Sequence, residues 1–176
     1  HIMFPDYLRK LFYDTGDFFP NFAFNLGGGQ NIYNISYYGL FNSIILISYL
    51  LPFVSMITYI QFSMIVCLIV SIILMYYFLR RRFDLKVSFV STLLFLTVGC
   101  FIFHLHRHIM FVDYMPFLLM ALIGVDKYFD KKKISLLVIS IFLMILTSYY
   151  FSVVGLVCVL LYGIFRYIED KKNEKI

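Results

Sequence analysis

His104, His106 and His108 alternate with Leu105 and Arg107, so one short stretch offers three imidazoles and a guanidinium. That donor set can grip a phosphate group. A metal site would need convergent ligands, and the only further partners in sight are Asp113 or an acid from an earlier loop. The plainer reading makes the histidines interfacial side chains that end an apolar run. Asp113, with Pro116 three residues on, reads as the N-cap of a helix. A carboxylate near membrane depth is also a functional candidate in its own right.

A second group lies near the amino end. Asp14 and Asp17, three apart and followed by Pro20, offer a general base or a pair of metal ligands. Loop carboxylates also cap turns. Gly27-Gly28-Gly29-Gln30-Asn31 suits either a backbone nest for an anion or a simple flexible turn. No Gly-Lys-Ser/Thr follows it, so it is not a nucleotide-binding loop. Cys67, Cys100 and Cys158 lie in apolar runs without CxxC spacing, which supports neither a disulfide framework nor a zinc site.

These groups can cooperate only if the chain brings them to one side of whatever solvent holds it. The sequence is 62% hydrophobic and 14% charged, with mean hydropathy +0.87, whereas a soluble domain is nearer a quarter charged. The solvent is therefore a bilayer. Apolar runs cover Tyr59 to Leu79, Val87 to Phe103, Ile109 to Val125, Ile134 to about Tyr149, and about Ser152 to Ile168. The first rises about 30 Å as a helix, enough to cross a hydrocarbon core. The last two are too long for one crossing and must fold back around Ser148 to Ser152.

Charge sets the sides. Arg80, Arg81, Arg82 and Lys86, then Lys127 and Lys131 to Lys133, then Arg166, Lys171, Lys172 and Lys175 place twelve cations on one face, against Arg9, Lys10 and Arg107 on the other. The positive-inside bias makes the rich face cytoplasmic. The expected fold is all-α, a polytopic membrane helical bundle of about five transmembrane helices over 59–168. An extracytoplasmic loop with short interfacial or re-entrant helices (1–58) precedes it, and a cytoplasmic tail (169–176) follows.

Within the loop, Phe4 to Tyr13 has the spacing of a short amphipathic helix lying on the membrane surface. Ser43 to Met56, broken by Pro52, is too short to cross. No signal peptide or earlier span carries the loop outward, so the chain is expected to be an internal piece of a longer protein. The net charge of +5 is accounted for by anchoring beside anionic membrane lipid. Nucleic acid is not an expected partner, because no basic stripe interleaved with stacking aromatics is left over.

Phe4-Pro5-Asp6-Tyr7-Leu8-Arg9, the stretch Asn25 to Asn34, and Tyr37-Tyr38-Gly39-Leu40-Phe41-Asn42 resemble the first outer loop of YfhO-type bacterial membrane proteins. His108 to Asp113 and Ser148-Tyr149-Tyr150-Phe151 resemble later parts of that family. The resemblance implies a C-class glycosyltransferase of the bacterial plasma membrane. Such an enzyme moves a sugar from a polyprenyl-phosphate carrier to an envelope glycopolymer such as teichoic acid.

It also implies an acid early in the outer loop, which here would precede His1. Ser43 stands where the family pattern has Pro. On this reading His104, His106, Arg107 and His108 hold the carrier phosphate, while Gly28, Gln30, Asn31 and Tyr37 form the substrate loop. Asp14, Asp17 and Asp113 are the catalytic candidates. No cofactor is certain; a divalent metal is the one the loop acids leave room for. A lipid-linked-substrate transporter or flippase and a non-catalytic membrane partner are the competing classes. The transporter class is disfavoured by spans nearly free of charge.

Overall fold

The computed structural model of the chain describes residues 3–26, 28–99, 103 and 109–173, with residues 3, 35, 37, 38 and 109 described by backbone alone. Helix α1 spans Met3–Thr15. It stops where Gly16, at φ +78°, donates its N–H to the Phe12 carbonyl, a left-handed C-terminal turn that glycine adopts without steric cost. Its apolar stripe, expected on the membrane surface, packs against protein. Leu8 is fully buried, and Phe4, Tyr7, Leu11 and Phe12 pack with it against Leu40, Tyr49 and Ile60. The stripe found a protein partner instead.

The glycine run makes a hairpin. Strand β1 (Phe22–Ala23) pairs antiparallel with β2 (Gln30–Asn31), Phe22 opposite Asn31 and Ala23 opposite Gln30. Gly28 and Gly29 turn the chain at φ +83° and +98°, a backbone region costly to side chains with a Cβ. A 3₁₀ helix over Ile32–Tyr38 follows and ends at Gly39, φ +111°. Between Gly39 and the first long helix stand α2 (Ser43–Ile47) and a 3₁₀ turn at Ser48–Leu50, together too short to cross a membrane.

Five longer helices complete the described chain: α3 (Met56–Arg80), α4 (Leu85–Thr97), α5 (Ile109–Lys131), α6 (Ser135–Thr147) and α7 (Tyr149–Asn173). Helix α3 thus begins three residues before the expected run, and the last helix continues into the expected tail. Side-chain contacts fix their directions. The Tyr59 hydroxyl near the start of α3 donates to the Ile44 carbonyl, while Arg81 and Arg82 just past its end meet Asp130 and Asp126 near the end of α5. Helices α3 and α5 therefore run the same way. Helix α6 returns, with Leu137 beside Gly124 and Met144 beside Gly155. Helix α7 then descends until Tyr162 and Arg166 reach Asp126.

The fold-back between α6 and α7 needs neither Gly nor Pro. Ser148 alone leaves the helical region, at φ −156°, ψ 108°, and its hydroxyl accepts the Phe151 N–H at 3.4 Å. A serine cap is sufficient to start the next helix.

Helices α3 and α7 are long and apolar enough to cross a membrane, with only 17% of each apolar window buried inside the chain, unlike the core helix of a soluble protein. Helices α4 and α6, at 13 residues each, rise about 20 Å, short of a hydrocarbon core of about 30 Å. Polarity is turned inside out. On α3 the residues facing the chain include Ser63, Cys67 and Ser71, while Ile65, Ile69 and Ile73 point outward. Buried hydroxyls bond back along their own helices, as Ser71 does to the Cys67 carbonyl and Ser140 to the Leu136 carbonyl. Small residues at helix contacts and aliphatic residues outside are what lipid solvent selects.

Candidate functional site

At the end of the bundle that carries the amino-terminal loop, one buried polar pair joins that loop to α5. The Asn42 side chain serves two elements at once. Its Oδ1 accepts the N–H groups of Ile44 and Ile45 at 2.9 and 3.4 Å, capping α2. Its amide nitrogen donates to Asp113 Oδ2 at 3.2 Å. Both residues are fully buried. Asp113 Oδ1 has no hydrogen-bond partner among the described residues. A buried carboxylate oxygen without a donor is costly to keep.

Asp113 is therefore no N-cap. Helix α5 has already begun at Ile109, so the carboxylate projects from the second helical turn. Pro116 sits inside the helix, lacks an N–H, and leaves the Val112 carbonyl without its helical donor.

Beside this pair a cavity of about 370 Å³ opens between the loop and the α6–α7 turn, lined by Ser36, Gly39, Phe41, Ile145, Thr147, Ser148 and neighbouring atoms. Ser43 Oγ and Thr147 Oγ1 stand 3.5 Å apart. Gly39 keeps this junction tight: a Cβ there would meet Ile45 Cδ1 at 3.0 Å. The lining is mostly apolar with a few hydroxyls, the usual make-up of a site for a small amphiphile.

The other expected residues fall elsewhere. Asp14 and Asp17 are exposed at the end of α1, apart from buried Asp113. Asn31 Oδ1 accepts the Tyr33 N–H at 2.9 Å and caps the 3₁₀ helix. Gln30 belongs to the hairpin and Gly28 to its turn. The side chain of Tyr37, and all of His104, His106, Arg107, His108 and Cys100, lie outside the described residues. Cys67 is buried and Cys158 exposed, both as free thiols. Among the described residues no three His, Cys, Asp or Glu side chains are placed to hold a metal ion. Burial pushes the Tyr49 phenol up to about 12, against a smaller opposing pull from Arg9, so it is neutral at working pH.

At the opposite end, charges that read from the sequence as separate cationic loops form one network. Asp126 Oδ1 accepts from the Tyr162 hydroxyl at 2.7 Å and pairs with Arg166 Nε at 3.1 Å and Arg82 Nη2 at 3.4 Å. The Arg166 Nε contact lacks hydrogen-bond geometry, and Asp126 Oδ2 has no partner among the described residues. Arg166 also reaches Asp130 and Glu169, each at 2.7 Å, and Arg81 pairs with Asp130. Arg82 meets Glu169 at 3.1 Å and lies over the Tyr162 ring. The sequence signal was available: Asp126 and Asp130 share one helix face, as do Tyr162, Arg166 and Glu169.

Apolar helices with outward aliphatic side chains and inward hydroxyls define a helical membrane protein. The profile of the family described as "Bacterial membrane protein YfhO" matches residues 1–176, and the chain belongs to that family. No curated protein and no solved structure gave a match.

Proposed function

We propose that this chain is part of a membrane glycosyltransferase that takes a sugar from a polyprenyl-phosphate carrier and places it on an outer-face envelope acceptor such as teichoic acid. The observation that carries the reading is the meeting of Gly39 and Phe41 with Thr147 and Ser148 around one cavity, beside the hydroxyl contact between Ser43 and Thr147. These stretches are far apart in sequence, and both resemble family segments.

In this proposal the chain crosses five times, the apolar runs 87–103 and 134–149 extending beyond the short helices α4 and α6; the amino-terminal loop lies outside, and the cation-rich end is cytoplasmic. The cavity takes the sugar and the first carrier units, while Asp113 lies buried behind Asn42. Arg107 and the flanking histidines hold the carrier phosphate on the strength of their chemistry. Exposed Asp14 and Asp17 are left for acceptor contact, and the Gln30 and Asn31 hairpin for the sugar.

Transfer of radiolabelled sugar from a polyprenyl-phosphate donor by the full-length protein in vesicles tests it. Ile145→Trp, which fills the cavity from its rim, and Arg107→Ala should each lower transfer at least tenfold while the protein remains folded. Full transfer by both variants would remove the cavity and the phosphate clamp from the reaction.

A second reading, movement of a lipid-linked substrate without bond chemistry, is favoured by Asp113 itself. An ionisable group buried inside a helix is what a transport pathway uses. Flipping of a fluorescent carrier without sugar transfer would select it.

A further inference from the structure

Helix α1 grips the loop in front of α3 at both of its ends. The Tyr13 hydroxyl donates to the Tyr49 carbonyl at 2.8 Å, and Arg9 Nη1 donates to the Val54 carbonyl at 2.9 Å. Arg9 is itself buried, 7% exposed, with Asp6 Oδ1 3.8 Å from its Nη2, so a paired cation is held against a backbone oxygen. Between the two clamps the tip projects: Leu50 is 75% exposed, Leu51 42% and Phe53 99%. The tip from Leu50 to Phe53 carries no charge, and Tyr49 at its base is buried against the ring of Phe12. The base is fixed and the apolar end is bare.

The tip is also continuous with the membrane helix. Helix α3 starts at Met56, and its outward residues Ile57 and Phe62 extend the same apolar surface, 54% and 65% exposed. Pro52 lacks an N–H and so lowers the number of backbone donors the tip would carry into hydrocarbon. We propose that Leu50 to Phe53 is a wedge inserted into the lipid leaflet at the loop end of the bundle, and that Arg9 and Tyr13, as positioning residues, set its depth and with it the height of the amino-terminal loop above the bilayer. The inference stands apart from the transfer reaction: it needs only a bilayer.

The chain contains no Trp, so Phe53→Trp adds a reporter that can be excited selectively at wavelengths where tyrosine does not absorb; any tryptophan elsewhere in the full-length protein is first replaced by Phe. With the full-length protein in phosphatidylcholine vesicles, emission should be blue-shifted and resistant to iodide. Lipids brominated high on the acyl chain should quench it more than twice as strongly as lipids brominated near the chain end. Leu50→Trp should behave alike and serves if the first variant folds poorly. Adding Arg9→Gln to Phe53→Trp should weaken the shallow quenching at least twofold, with circular dichroism unchanged. Water-like emission quenched by iodide would overturn the wedge. So would a blue-shifted tryptophan insensitive to every brominated lipid, because protein and not lipid would then cover the tip.

Discussion

Asn42 and Asp113 meet at 3.2 Å inside the protein, one capping α2 and the other projecting from α5. The pair ties the amino-terminal loop to α5 through a buried polar contact.

Removing the amide should be costly twice over. Asn42→Ala loses a helix cap, about 1 kcal/mol, and strips the donor from a buried carboxylate, about 1.5–3 kcal/mol. Asp113→Asn should be nearly neutral for stability, since its amide oxygen still accepts from Asn42 while the charge disappears. Denaturation in detergent separates the two. If Asp113→Asn is folded yet loses transfer, the carboxylate acts in chemistry; if it transfers normally, Asp113 is only a tie.

Asp126 holds the opposite end. Asp126→Ala would leave Arg82 and Arg166 short of a buried counter-charge and is expected to destabilise by about 3–5 kcal/mol. Tyr162→Phe removes one hydrogen bond, about 1 kcal/mol. Glu169→Gln, at a side chain 40% exposed, should change stability by less than about 1 kcal/mol. Thermal midpoints of the three variants should fall in that order, and equal midpoints would dissolve the idea of a keystone at Asp126.

Two helix glycines should respond oppositely to the same methyl group. A Cβ on Gly124 would stand 2.8 Å from the Leu137 backbone, so Gly124→Ala must push α5 and α6 apart, at about 1–3 kcal/mol. Gly163 has nothing within 4 Å of that position, and Gly163→Ala should stabilise α7 by up to about 1 kcal/mol. Melting curves decide the sign at each.

Sidedness can be read with thiol labels in a cysteine-free background. Phe24→Cys, at a side chain 80% exposed on the hairpin, should react with an impermeant reagent outside intact cells. Lys132→Cys should react only after the membrane is opened. The reverse pattern would put the cavity on the wrong face for an outer acceptor.

Much of the bundle was legible because lipid imposes a simple rule on sequence: long charge-free runs such as 59–79 become helices, and the cation clusters mark their ends. The glycine run was legible as a turn for a similar local reason, since only glycine adopts its backbone angles without steric cost. What could not be read were contacts between distant segments. Asp113 beside Pro116 carries a local N-cap signal, and only the earlier start of α5 turns the carboxylate inward to Asn42. Likewise Arg82 and Arg166 looked like loop cations because nothing in their own neighbourhoods names Asp126. The amphipathic stripe of α1 announces an apolar partner but not whether that partner is lipid or protein.

One stem, α5, bears both polar stations, with Asp113 and Asp126 about 20 Å apart along its axis. Pro116 interrupts its ladder beside the first of them. The rod therefore lacks one rung next to Asp113, and a load applied at the arginine end would be relieved by bending at that turn.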